Sequence, residues 1–222
     1  MARYEFDALE NGCEIVYNTL FECAKLEDNG YRLFFAGEGD FSITCNYLIN
    51  SAGLSAVSVA HSIEGLAHAD LPKQVYAKGS YFSYAGRGLI NGLVYPVPVE
   101  GGLGIHGTID FSGQIKFGPD VEWLKDGELT QNIYNVNPER KTFFVKCISK
   151  YLPTINPNLL YASYSGIRPK LNKNNSMVND FNIIIGCIDG LNKSISLIGI
   201  ESPGLTSSIS LAVHIVSLIE EN

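Results

Sequence analysis

Between Tyr95 and Trp123 the sequence reads YPVPVEGGLGIHGTIDFSGQIKFGPDVEW, and within it GLGIHG, Gly102 to Gly107, matches the spacing of a dinucleotide-binding loop. This stretch decides between two architectures. A nucleotide fingerprint needs a strand, a tight glycine turn, and then a helix whose N-terminus meets a pyrophosphate. Here Pro96 and Pro98 precede the glycines and oppose a central parallel strand. The residues that follow, TIDFSGQIKFG, alternate like a strand and are broken at Ser112-Gly113. The stretch therefore predicts a strand-edge loop leading into a β-hairpin, with no helix at Ile105–Gly107. The match is a coincidence of spacing in a chain with 22 glycines. No other glycine cluster replaces it: Gly37-Glu38-Gly39 reads as a hairpin turn, and no Walker A lysine motif occurs.

A chain of 222 residues can bury a sizeable core, and 45% hydrophobic against 18% charged residues places it among globular proteins. The net charge of −7, with no basic stripe, argues against nucleic acid as the main partner. Five cysteines (Cys13, Cys23, Cys45, Cys147, Cys187) are scattered without a C-x-x-C pair. That pattern predicts that most are buried thiols in a reducing compartment, with neither a zinc knuckle nor a disulfide framework. MARYEFDALENG is acidic and carries no apolar signal core, and the most apolar run, 209–219, is too short to span a bilayer. A cytoplasmic protein is expected.

Along the chain, residues 3–11 read as the end of a helix. CEIVYNTLFECAKLED, YRLFFAG and FSITCNYLIN read as strands, followed by a short helix near 54–63. From Gln74 to Phe117 the pattern is again β. NPERKTFFVKCISKYLP reads as a helix, with Asn137 as N-cap, Pro138 at the first position and Pro153 beyond the end. Further β stretches surround 160–170 and 181–188, SISLIGIESPG adds a last strand, and a final helix is expected to begin within PGLTSS. KLNKNNSMVND, the most polar run, reads as an exposed loop.

VYPVPVEGGLGIHGTIDFSGQIKFGPDVEW, YSGIRPK, LINSAG and GIESPGLTSS, in this order and spacing, resemble the flavin-dependent oxidoreductases of the D-amino-acid oxidase superfamily. The similarity is to the branch that contains L-2-hydroxyglutarate dehydrogenases and runs from about Gly12 onward. The resemblance implies a mixed α/β (α+β) fold. In it, part of an FAD-binding domain (1–72 and 160–222) is interrupted by an antiparallel-sheet substrate domain (73–159). It also implies oxidation of a small 2-hydroxy acid, such as 2-hydroxyglutarate, with FAD taking the hydride. Family members open with a strand-glycine loop-helix that binds the FAD pyrophosphate, and this sequence enters the family pattern after it. A separate N-terminal FAD-binding chain, one half of a split enzyme, or a catalytically inactive remnant are the alternatives this raises. On its own the chain is expected neither to bind FAD tightly nor to turn over.

The resemblance assigns roles to particular residues. Arg168, in YSGIRPK, would grip the substrate carboxylate with its bidentate fork, although on its own it reads as an arginine at a strand end. His106 would accept the hydroxyl proton, since an imidazole titrates near neutrality; as a lone histidine it reads equally as structural, as do His61, His68 and His214. Tyr81, in KGSYF, would wall the substrate, where an aromatic on an alternating strand is otherwise core. Ser51, Ala52 and Gly53 would pass close to the FAD phosphates, or simply end a strand. Gly204, Leu205 and Thr206 would open the last helix toward the flavin, with Ser202 as N-cap and Pro203 behind it. Asp110 with Asp120, and Asp180 with Asp189, lack metal-ligand spacing and read as turns and solvated faces.

Overall fold

The computed structural model describes residues 1–37, 41–66, 71–97, 104–125, 132–188 and 191–220. Chain order runs α1 (Ala2–Glu10), β1 (Leu20–Glu27), β2 (Gly30–Ala36), β3 (Phe41–Cys45), β4 (Leu48–Asn50) and α2 (Ala56–His61). Next come β5 (Lys73–Tyr84), β6 (His106–Ile109), β7 (Ile115–Gly118), β8 (Glu122–Leu124) and α3 (Lys141–Ile148). The chain continues through β9 (Leu160–Lys173), β10 (Ser176–Val178), β11 (Asn182–Ile188) and β12 (Leu191–Ile198) to α4 (Ser208–Glu220). The class is mixed α/β with antiparallel sheets, as expected.

The elements fall into two compact units. The first comprises Met1–Leu71, Ile183–Ile198 and Ser207–Asn222. It contains an antiparallel meander, β1-β2-β3, and a second sheet of order β11-β12-β4 in which β4 and β12 run parallel. Ala24, Tyr31, Leu33, Ala60, Ile63 and Leu66 form its core. The buried Asn50 side chain donates to the Ala56 carbonyl and to Ser196 Oγ, which ties the end of β4 to α2 and β12.

The second unit, Pro72–Asn182 with Gly199–Thr206, is built on a sheet of order β10-β9-β5-β7-β6, with β8 also pairing β5. The hairpin foreseen at Ser112-Gly113 joins β6 to β7. Its turn is held by Asp110 Oδ1, which accepts from the Ser112 and Gln114 amides at 3.0 Å each, while Gly113 takes φ +82°. Asn137 caps its segment as expected, accepting from the Glu139 amide at 2.9 Å; the first turn is 3₁₀ before α3 begins. Phe82, Phe117, Phe144, Ile115, Ile148 and Leu160 are almost fully buried against one another. Each such side chain contributes about 1.5–3 kcal/mol of burial free energy.

Several expectations are corrected. The first strand covers only Leu20–Glu27 of the sixteen residues read as β, because Asn18 at φ +54° breaks the extended backbone before it. FSITCNYLIN is two strands in two sheets, since β3 pairs β2 whereas β4 pairs the distant β12. Of the β stretch read from Gln74 to Phe117, β5 ends at Tyr84 and, among the described residues, the next strand begins at His106. The boundary expected at 160 lies near 183, because β9 pairs along nearly the whole of β5. The last helix starts at Ser208; residues 202–207 form turns, with Thr206 Oγ1 donating to the Pro203 carbonyl at 2.9 Å. The Leu211 amide donates to the Ser207 carbonyl at 2.9 Å, and the helix begins well past Ser202, so Ser202 is not its cap. Finally, Asp120 is buried and paired, not solvated. The glycine turn at 37–39 and residues Pro98, Gly102, Leu103, His68 and Asp189 lie wholly or partly outside the described residues.

Candidate active site

Strand β5 sets the floor of a cleft in the second unit. At Ser80–Phe82 its register against β9 slips, a bulge that takes Tyr81 out of the regular ladder and re-aims its ring. Two neighbouring glycines make room. A Cβ on Gly118, which sits at φ +142°, would lie 2.6 Å from the Ser80 carbonyl and 2.7 Å from the Tyr81 ring. A Cβ on Gly79 would lie 2.7 Å from Pro119 and 3.3 Å from an Arg168 guanidinium nitrogen. Side chains at either position would close the space that Tyr81 and Arg168 occupy.

The cleft, about 730 Å³, is lined by Tyr81, Tyr95, His106, Arg168, Lys170 and Glu201 together with Gly79, Gly166, Asn179 and Ser202. Arg168 projects from β9, opposite Ala77 of β5. Its Nη1 is buried and makes no hydrogen bond, while its Nε lies 4.0 Å from a Glu201 carboxylate oxygen. The other Glu201 oxygen accepts from Lys170 Nζ. Two cations thus face one carboxylate, which leaves the cleft net positive. His106 opens β6 opposite Gly118, and the next residue, Gly107, exchanges two 2.9 Å backbone hydrogen bonds with Val94. The Tyr95 ring stacks on the imidazole at 4.6 Å and 18°. His106 Nδ1, like the guanidinium Nη1, is buried without a partner.

Electrostatics follow from that burial. Desolvation pulls the His106 pKa below 6.5; a backbone hydrogen bond at Gly104 opposes the shift and the Arg168 charge adds to it. The ring is therefore held neutral near pH 7, able to accept a proton. Burial raises the Tyr81 phenol, with Tyr164 adding to the shift and Arg168 opposing it, so the hydroxyl stays protonated. Tyr81 also stacks on Tyr164 at 4.5 Å.

Behind the cleft, Asp120 accepts the Ser80 amide at 2.7 Å and pairs with Arg140, fixing β5 beside the bulge. A second cavity, of about 680 Å³, shares Tyr95 and Pro119 with the cleft and is otherwise lined by residues such as Ile105, Phe143 and Tyr151. A third cavity, about 810 Å³, follows the β1–β2 turn and is lined by neither a cation nor an imidazole.

His106, Arg168 and Tyr81 therefore share one cleft. Ser51, Ala52 and Gly53 lie in the first unit, in the turn after β4, where the Ala52 amide donates to Asn50 Oδ1 at 3.2 Å. Gly204, Leu205 and Thr206 lie in the turn before α4. Sequence reading did not single out Tyr95, Lys170 or Glu201. All three stood inside quoted motifs, YPVP, YSGIRPK and GIESPG, but nothing local marks a side chain as facing a cleft.

A model of the family described as "DAO: FAD dependent oxidoreductase" matches residues 1–218. The chain belongs to that family. An Arabidopsis thaliana protein named L-2-hydroxyglutarate dehydrogenase, mitochondrial, is 38% identical over 97% of this chain and 48% of its own length. A Caloramator mitchellensis protein named glycerol 3-phosphate dehydrogenase is 24% identical over 96% of this chain and 41% of its own. The chain thus spans about half the length of the curated relatives it matches. Among solved structures, L-alpha-glycerophosphate oxidase from Mycoplasma pneumoniae with FAD bound superposes at a TM-score of 0.79, with 25% identity over 97% of this chain and 53% of that one. Glycine oxidase from Bacillus cereus shares the fold at a TM-score of 0.70 and 15% identity, over 99% of this chain and 55% of that one. FAD is the cofactor of the family. Among the described residues no helix is long and apolar enough to cross a membrane.

Proposed function

We propose that this chain carries the substrate cleft of a flavin enzyme that oxidises a small 2-hydroxy acid with the size and charge of 2-hydroxyglutarate. The observation that carries the reading is the pair of unpartnered buried nitrogens, Arg168 Nη1 and His106 Nδ1, facing one cleft. A buried guanidinium nitrogen without an acceptor is costly unless a ligand completes it. A carboxylate meets that need, and an adjacent hydroxyl meets the imidazole. Arg168 holds the carboxylate, His106 takes the hydroxyl proton at Nδ1 as hydride leaves C2, and a 2-oxo acid results. Tyr81, kept protonated, walls the cleft. The relative named as an L-2-hydroxyglutarate dehydrogenase supports this substrate class.

The residues present fit FAD. At Gly53 and at Gly166 a Cβ would meet nothing within 4 Å, so the backbone there is open to close approach by a group such as a phosphate or a flat ring. Ser51, Ala52 and Gly53 would hold the phosphate end and Gly204, Leu205 and Thr206 the flavin end. FAD, when bound, supplies the two-electron acceptor for the C2 hydride.

The proposal includes a further FAD-binding segment N-terminal in the family pattern, in the same protein or as a separate chain. Strand β4 supports it: its parallel pairing with β12 leaves the opposite edge without a strand among the described residues, and Ile49 on it is 46% exposed. A cytoplasmic setting is part of the same reading, supported by the free thiols of Cys13, Cys23, Cys45 and Cys147. A second substrate reading, a phosphate-bearing alcohol, is favoured by the names of two relatives and by Lys170 beside Arg168.

The test is a substrate panel on the protein together with that segment. Oxidation of L-2-hydroxyglutarate in preference to glycerol 3-phosphate is the expected result. Preference for the phosphate ester would establish the second reading, and inactivity of a flavin-loaded protein toward both would leave an inactive remnant.

A further inference from the structure

We propose that Tyr151, outside the cleft, is a positioning residue that sets the direction of the His106 imidazole through the peptide bond before it. The inference rests on the proton-acceptor reading of His106.

Tyr151 follows α3, where its amide donates to the Ile148 carbonyl at 3.1 Å, so the ring is anchored to the core helix. Its hydroxyl donates to the Ile105 carbonyl at 2.9 Å, across 46 residues of sequence. The Ile105 carbonyl and the His106 amide belong to one planar peptide unit. Fixing that oxygen fixes the plane, and the plane limits where the His106 Cβ and ring can point.

Other restraints act on His106 itself, which pairs with Gly118 in the β6–β7 ladder, downstream of it, or on the face of its ring. The Gly107–Val94 hydrogen bonds hold the backbone after His106, and Tyr95 covers one face of the imidazole. On the upstream side Gly104 is at φ +75°, a conformation that glycine adopts without strain and that does not by itself lock the chain. Among these contacts, the Tyr151 hydroxyl fixes the upstream peptide from a distant element. The 680 Å³ cavity beside Ile105 and Tyr151 leaves space into which that peptide can turn once the bond is lost. Burial lifts the Tyr151 phenol to about 12, with Cys147 adding to the rise, so the hydroxyl remains a donor across the working range.

The charged and titratable groups around the two rings are Tyr81, Tyr95, Arg168, Lys170 and Glu201 in the cleft, and Cys147, Lys150 and Asp120 beside Tyr151. Tyr151→Phe changes none of them and keeps the ring volume.

The experiment follows the imidazole NMR titration of the purified chain, with the His106 signal assigned by its loss in His106→Gln. In Tyr151→Phe the His106 midpoint is expected to rise toward the ordinary value of 6.5 as the ring leaves its buried position, with the other histidines unmoved. In the flavin-loaded protein kcat falls about tenfold, roughly 1.4 kcal/mol of transition-state stabilisation, while KM stays within about twofold. A His106 titration that superimposes on that of the parent overturns the proposal, even where the melting temperature drops, because loss of stability alone does not move that midpoint. If His106→Gln keeps its kcat while Tyr151→Phe still shifts the midpoint, the proton-acceptor reading falls and the positioning stands.

Discussion

Arg168 reaches the cleft past Gly79 with one guanidinium nitrogen unpartnered, and its fork geometry is what a carboxylate requires. Replacement by lysine keeps the charge and loses the fork. Arg168→Lys is expected to cost about 2–4 kcal/mol of substrate binding, a rise in KM of roughly thirty-fold to a thousand-fold. Unchanged KM and kcat would remove Arg168 from the site. His106 makes a pH prediction. Since burial holds its pKa below 6.5, kcat/KM should hold at neutral pH and fall along an acid limb centred below 6.5, as the ring takes up a proton and can no longer accept one. Stability follows the same direction. The unfolded chain binds the proton more readily, so this group's contribution is lost as pH falls below 6.5 toward the folded value. An acid limb centred at or above 6.5 would contradict the buried, neutral imidazole.

At the scale of elements, the parts legible in the sequence were those whose cause is local. The β6–β7 hairpin was readable because Asp110, Ser112 and Gly113 make its turn among themselves; the side-chain bond from Ser112, with help from the Gln114 amide, draws the Asp110 carboxyl down to about 2. The start of the α3 segment was readable from Asn137-Pro138. What failed depended on distant partners. β3 and β4 separate because β4 joins β12, and the boundary near 183 follows from the pairing of β9 with β5. Asp120 was read as solvated because its partners, Arg140 and the Ser80 amide, lie 20 and 40 residues away. That pair gives an element-level prediction. Asp120→Ala strips the acceptor from a buried amide and leaves the partly buried Arg140 without this partner. It should cost about 3 kcal/mol of stability, read as a lower denaturation midpoint at unchanged slope. A loss under about 0.5 kcal/mol would show that the pair does not hold β5 in place.

At the scale of the whole molecule, the family resemblance carried what local patterning could not. GLGIHG matches a nucleotide loop in spacing, yet Ile105 precedes a strand and His106 begins it, with no helix following. His106, Tyr81 and Arg168, far apart in sequence, meet in one cleft because β5 lies between β9 and β7, and β7 pairs with β6. The central claim is that the Arg168–His106 cleft performs flavin-linked oxidation of a 2-hydroxy acid. Its most direct test is anaerobic, single-turnover bleaching of the bound flavin on mixing with L-2-hydroxyglutarate, in the protein assembled with its FAD-binding segment. The account predicts rapid bleaching in the parent, slowed by about a hundredfold or more in His106→Gln, in the range general-base catalysis supplies. Bleaching at the same rate in both proteins, or none in the parent, would contradict it.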